Sequence, residues 1–260
     1  MNVITEISQN DGMFEGNSEH YFHVGESAIQ SIHSAISDSG KKTEDIKNIL
    51  DLPCGHGRVL RFLKADFPDA RITACDLDKD GVDFCTKTFG AIPVYSSNIL
   101  SEISLERNFD LIWVGSLLTH LDLNNWYKFF KFFSEKLNPD GLLIVSFHGP
   151  YLFQRILENE KFYSLTSEGL ISLQKQYEKN QFGYVNYPQQ TDYGVSVSAP
   201  LNTFRVLKKF PELEIISYTA KAWDEHHDVI CCKKNSIGYA NKIGSRNSFI
   251  NRVRSFFSKT

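Results

Sequence analysis

The sequence predicts an α/β protein: a doubly wound, mostly parallel sheet of seven strands, closed at its C-terminal end by an antiparallel hairpin. Three observations carry this reading. Short apolar runs beginning near Ile49, Ile72, Ala91, Phe109 and Gly141 alternate with stretches whose apolar residues recur at helical spacing. The run N-F-D-L-I-W-V-G-S at 108–116 is apolar through its middle, as in a parallel strand covered on both faces. The run ending at Leu52 passes directly into a glycine turn, the junction at which open α/β sheets bind ligands.

Composition bounds the rest. A chain of 260 residues with 42% hydrophobic residues can bury one large core. This predicts a helical extension or cap over residues 1–45, a main domain over 46–233 and a basic tail over 234–260. The charge is unevenly spread: from Lys233 onward there are 7 Lys/Arg and no Asp or Glu. The preceding residues carry 21 basic against 31 acidic side chains, a net of −10, which argues against a nucleic-acid surface. Five cysteines at irregular spacing point to free thiols in a reducing compartment. With neither a secretory leader nor a membrane-length apolar run, the expectation is a cytoplasmic protein.

The stretch N-I-L-D-L-P-C-G-H-G-R at 48–58 organises the chain. Ile49, Leu50 and Leu52 form a buried strand, and Val59, Leu60, Leu63 and Phe67 mark the helix that follows. Gly55 and Gly57 lack a Cβ, so a ligand can approach bare backbone, and the helix N-terminus offers unpaired N–H groups. A dinucleotide fingerprint G-x-G-x-x-G is not spelled, because Leu60 stands at the third glycine place. The phosphate-binding lysine of the other Gly-rich loop is absent as well.

L-D-L-P-C-G-H-G-R resembles the first motif of class I S-adenosylmethionine-dependent methyltransferases, with Pro53 where that family usually carries its first glycine. The resemblance covers about residues 46–149. It includes the F-D-x-I run at 109–112 and L-x-P-x-G at Leu137, Pro139 and Gly141. It implies a Rossmann-like methyltransferase fold and S-adenosylmethionine as cofactor. The implied cofactor site comprises Asp51, Pro53, Gly55, Gly57 and Arg58 on the first turn, Asp76 and Leu77 after the second strand, Asn98 after the third, Ser116 after the fourth, and Tyr21 reaching over from the N-terminal helix, near His23 and Gly25.

Several of these residues also have plain structural readings. Asp76 lies at the offset where a carboxylate meets a ribose diol; the alternative is a helix N-cap, which suits Asp78 better. Asn98 fits either an adenine amino contact or a turn. His120 fits either a base facing the substrate or a satisfied helix-cap histidine, and His148, His226 and His227 are further base candidates. The aromatic helix at 124–137 reads as core, stopped by a turn at 138–141.

Past Pro150 the family pattern is interrupted. Residues 151–200 hold a helical stretch and then a polar, tyrosine-bearing segment, placed to shape an acceptor pocket for a small molecule or a glycan. Residues 212–220 and 226–232 read as the closing hairpin. Between them Asp224, His226 and Asp228 would share one strand face and invite a metal, but no second ligand cluster accompanies them, so no metal is assigned. In the tail, Phe249, Ile250, Val253, Phe256 and Phe257 share a helical face flanked by Arg252 and Arg254. That face suits an anionic inner-membrane surface or packing on a protein partner. The resulting expectation is methyl transfer to a hydroxyl or amine of a small polar acceptor. The alternatives are a cofactor-binding but non-catalytic fold, or a reductase or epimerase on a similar fold.

Overall fold

The computed structural model describes residues 3–158 and 162–235, so the tail and its amphipathic face lie outside the described residues. The chain runs α1 (Ser18–Asp38), β1 (Asn48–Asp51), α2 (Leu60–Asp66), β2 (Arg71–Asp76), α3 (Lys79–Phe89), β3 (Ile92–Tyr95), β4 (Phe109–Val114), α4 (Leu123–Lys136) and β5 (Leu137–His148). An insertion follows, with α5 (Pro150–Glu158), α6 (Ser167–Asn180), β6 (Phe182–Asn186), β7 (Gly194–Ser198) and α7 (Pro200–Leu207). β8 (Leu213–Trp223) and β9 (His227–Lys234) complete the fold.

Seven strands form one sheet in the order β3-β2-β1-β4-β5-β9-β8. β1 to β5 pair in parallel, while β9 runs antiparallel to both neighbours. The order reverses between β1 and β4, so the loops after these strands diverge and open a crevice at their carboxyl ends.

The sequence explains the layers. Successive strand residues face opposite sides, so Ile49 joins a core with Ile32, Leu60 and Val82, while Leu50 joins one with Trp126, Phe130 and Phe204. α1 starts where the Asn17 side chain accepts from the His20 N–H, and its apolar stripe Val24, Ala28, Ile32 and Ile36 is buried. α3 starts at Asp78, whose carboxylate accepts from the Asp80 N–H, and ends at Gly90 in the left-handed conformation. The aromatic residues of α4 are core, with Trp126, Phe130 and Phe133 fully buried.

One expectation needs correction. Residues 138–141 do not end the segment before a new strand: β5 already begins at Leu137, which pairs with Phe109. Leu111 next pairs with Leu142, so the residues between bulge out of the ladder, with Asp140 at φ 61°. The polar segment of the insertion has regular structure of its own. It folds as the β6–β7 hairpin, a second sheet with its own core of Leu152, Phe153, Ile156, Leu173, Val195 and Val197.

Candidate cofactor and acceptor site

A cleft of about 390 Å³ opens at the crevice, lined by the first glycine turn, the ends of β2 and β4, and residues brought from both ends of the chain. The turn owes its shape to its glycines: Gly55 has φ 48° and Gly57 φ 79°, which side chains rarely adopt. A Cβ at Gly55 would stand in open space, whereas one at Gly57 would lie 2.5 Å from the Phe89 ring. The first glycine bares backbone and the second packs the turn on α3.

Asp51 ends β1 just before the turn, and Asp76 ends β2 in contact with it. Asp76 is well used: its carboxylate accepts from the Gly55 N–H at 2.7 Å and from the Asp78 N–H at 3.0 Å. It therefore fixes the turn while lining the cleft. Asp51 is different. It is 1% exposed, and neither carboxylate oxygen has a hydrogen-bond partner. Burial, with the nearby Asp76 charge adding to it, pushes its carboxyl well above the ordinary carboxylate range. A buried acceptor pair left unmatched by the fold suits a donor-bearing ligand or its bridging water.

Pro53, Gly55, Arg58 and Ser116 line the cleft, as the sequence implies. Arg58 is the only Lys or Arg among the lining residues, and burial lowers the pKa of its guanidinium. Ser116 holds φ 60° and donates its N–H to Ser146 Oγ at 2.8 Å. The other implied residues do not line the cleft: Asp51, Gly57, Leu77, Asn98 and Tyr21, with His23 and Gly25 near Tyr21. Tyr21 is 1% exposed and donates its hydroxyl to Asp11 Oδ2 at 2.5 Å, so it supports the wall from behind. His23 is exposed on α1, and a Cβ at Gly25 would meet Arg58 O at 2.4 Å, so that glycine serves helix packing. Asn98 is exposed in its turn, and Leu77 is 57% exposed beyond the end of β2.

The histidines separate cleanly. His120 lies in a short 3-10 turn at Leu118–His120 and lines the cleft. Its Nδ1 is 2.9 Å from the Gly194 carbonyl oxygen and 3.2 Å from the Tyr187 hydroxyl, and its ring stacks on Tyr193 at 4.9 Å. Burial lowers its pKa, with the Gly194 carbonyl opposing, so it is neutral near pH 7 and able to accept a proton. His148 is 1% exposed and spends both ring nitrogens on Ser196 O and the Tyr163 hydroxyl, each at 3.0 Å. His227 is 5% exposed and packs between Trp223 and His148. Neither lines the cleft; both are core histidines beneath it. Asp224, His226 and Asp228 do not share one strand face either. Asp224 and Glu225 occupy left-handed turn positions before β9, and the Asp228 carboxylate accepts from the Tyr218 hydroxyl and the Lys221 N–H.

Tyr193 comes from the tyrosine-bearing segment expected at the acceptor pocket, whereas other lining residues had no sequence signal: Asp11, Gly12 and Met13 from the N-terminal loop, His56 inside the glycine turn, and Trp223 at the end of β8. Only tertiary contact brings the N-terminal loop and Trp223 there. Arg61 ties the N-terminal segment down by donating to Ile4 O and Glu6 O, while Asp80 accepts from both Asn10 and the His56 ring.

Residues 49–141 match a family model described as a methyltransferase domain. This segment is a methyltransferase domain. A curated relative named malonyl-[acyl-carrier protein] O-methyltransferase, from Priestia megaterium, is 32% identical over 117 residues, covering 42% of this chain and 39% of that protein. A relative of the same name from Halalkalibacterium halodurans is 25% identical over 161 residues, or 56% of its length, so the match spans about half or less of either. Among solved structures, an S-adenosylmethionine-dependent methyltransferase from Clostridium acetobutylicum superposes with TM-score 0.56 at 16% identity, covering 81% of this chain and 92% of that one. The 1,6-didemethyltoxoflavin-N1-methyltransferase of Burkholderia thailandensis, solved with S-adenosylhomocysteine, gives 0.55 at 14% identity, covering 81% and 79%. The sheet order around the methyltransferase domain is thus that of a Rossmann-like methyltransferase fold.

Proposed function

We propose that this protein is an S-adenosylmethionine-dependent methyltransferase acting on a hydroxyl or amine of a small polar acceptor, a sugar or glycan intermediate among the candidates. The observation that carries the reading is a cleft where Gly55 bares its backbone beside the Asp76 carboxylate, with the buried, unpartnered Asp51 ending the strand just before that turn, within a segment that matches a methyltransferase domain. Asp76 presents the one carboxylate at the end of β2 suited to a ribose diol, and Arg58 the one lining cation suited to an amino-acid carboxylate. When bound, the sulfonium supplies an activated methyl carbon whose transfer leaves a neutral thioether, so the proton to be removed belongs to the acceptor. His120 is the base, because it alone among the histidines named as candidates lines the cleft. Trp113, Trp223 and Tyr193 wall its surroundings and exclude water from the transfer.

The malonyl-[acyl-carrier protein] relatives suggest a carboxylate acceptor as a second reading. Against it, the lining holds Asp11, Asp76 and Asp78 with Arg58 as its sole Lys or Arg, a poor match for a second anion beside the cofactor. Incubation with methyl-labelled S-adenosylmethionine and parallel panels of neutral hydroxyl, amine and carboxylate compounds tests the proposal. Label is expected in hydroxyl or amine products. Label confined to carboxylate esters would overturn the acceptor class.

A further inference from the structure

We propose that the insertion hairpin fixes the tautomer of His120: the Gly194 carbonyl and the Tyr187 hydroxyl hold the proton on Nδ1, leaving Nε2 as the atom that receives the acceptor's proton. The role given to Nε2 rests on the methyltransferase reading; the tautomer rests on geometry alone.

His120 belongs to the methyltransferase domain, but the partners of its Nδ1 do not. Gly194 opens β7, and Tyr187 and Tyr193 stand in the loop joining β6 to β7. A carbonyl oxygen only accepts, so the 2.9 Å approach of Gly194 O requires the proton to reside on Nδ1. The Tyr187 hydroxyl oxygen, 3.2 Å away, is then a second acceptor for the same N–H. No described residue hydrogen-bonds Nε2, and the ring lines the cleft.

The hairpin register explains why these carbonyls are available. Tyr187 N–H bonds to Tyr193 O across the turn, so 187 with 193 and 185 with 195 are the hydrogen-bonded pairs of the hairpin. Gly194 faces Asn186 and Ser196 faces Tyr184 as non-bonded pairs, and their carbonyls point out of the hairpin. β7 is an edge strand of its sheet, and such an edge must be satisfied. Here two histidines do so: His120 donates to Gly194 O, and His148 donates to Ser196 O at 3.0 Å while its Nε2 accepts from the Tyr163 hydroxyl. The same hairpin stacks Tyr193 on the His120 ring at an interplanar angle of 29°. The element that walls the acceptor pocket therefore also orients the base. Once Nε2 is protonated, the Nδ1–H remains shared between two acceptors, which favours the imidazolium against the cost of burial. Tyr187 is thus a positioning residue that acts through His120.

Long-range proton–nitrogen NMR on the full chain labelled with 15N-histidine reads the tautomer directly, with His120→Gln assigning the signal. The expected result is a protonated Nδ1, an unprotonated Nε2 and a titration midpoint below the ordinary 6.5. Tyr187→Phe is expected to lower that midpoint by about half a pH unit with no change in calorimetric affinity for S-adenosylmethionine. An Nε2–H tautomer in the folded wild type overturns the proposal, and that measurement decides even where Tyr187→Phe does not fold. An unmoved midpoint in folded Tyr187→Phe overturns the role of Tyr187. Wild-type protein that shows the expected tautomer but ignores S-adenosylmethionine contradicts instead the methyltransferase reading, and with it the role of Nε2.

Discussion

Asp51 presents the clearest conflict between stability and use at the level of single residues. A fully buried carboxylate with neither oxygen bonded costs folding free energy, on the order of 1–3 kcal/mol for the unmatched group. Replacing it with asparagine removes the charge at nearly constant shape. Asp51→Asn is therefore expected to raise the melting temperature by a few degrees while weakening S-adenosylmethionine binding at least about tenfold. Scanning fluorimetry and calorimetry on one sample check both; retained affinity would remove Asp51 from the cofactor site. Within the cleft itself, His120→Ala should lower turnover by roughly a hundredfold or more, within the usual contribution of a general base, with cofactor affinity nearly intact. Steady-state kinetics with a methyl acceptor from the labelled screen gives that separation.

Among the elements, the glycine turn is the most exacting. Gly57→Ala would place a side chain at φ 79° and a Cβ 2.5 Å from the Phe89 ring. Strain and overpacking together predict a loss of about 2–4 kcal/mol, measurable as a lower urea midpoint at unchanged slope. The parallel strands were legible in the sequence because a strand covered on both faces must be apolar on both, as in L-I-W-V at 111–114. The glycine turn, Asp51, Asp76 and the capping role of Asp78 were legible because local backbone geometry demands those residue types. The β6–β7 hairpin was not: F-G-Y-V-N and G-V-S-V-S lie among Gln, Asn and Tyr residues, and only contact with α5 and α6 buries Val195 and Val197. Nor was the Asp11–Met13 wall, which depends on Arg61 and Asp80 reaching back to the N-terminal segment. Tyr21 and His148 illustrate the converse. Their residue types suit a site, but burial and satisfied hydrogen bonds make them supports.

On the scale of the whole molecule, buried histidines should govern the response to acid. Burial depresses the pKa of His120, and more strongly those of His148 and His227, below the ordinary 6.5. An unfolded chain takes up protons at these sites before the folded one does. Their contribution is therefore complete above about pH 6.5 and is lost as pH falls below it. Asp51 acts with the opposite sign: its raised pKa contributes stability at low pH that is lost as pH rises through the folded value. The wild type is expected to lose melting temperature from about pH 7.5 to about pH 5.5, and Asp51→Asn to lose it more steeply, because the opposing group is gone. Parallel slopes for the two proteins would contradict the assignment of Asp51 as a raised, buried acid.

The central claim is that the cleft at the carboxyl ends of β1, β2 and β4 holds an adenosyl sulfonium compound, and isothermal calorimetry of the full chain tests it most directly. Titration with S-adenosylmethionine should give saturable one-site binding, weakened at least about tenfold (on the order of 1.4 kcal/mol) by Asp76→Ala, with no response to NAD or NADP. Saturable binding of a nicotinamide dinucleotide, with no heat from S-adenosylmethionine, would contradict it.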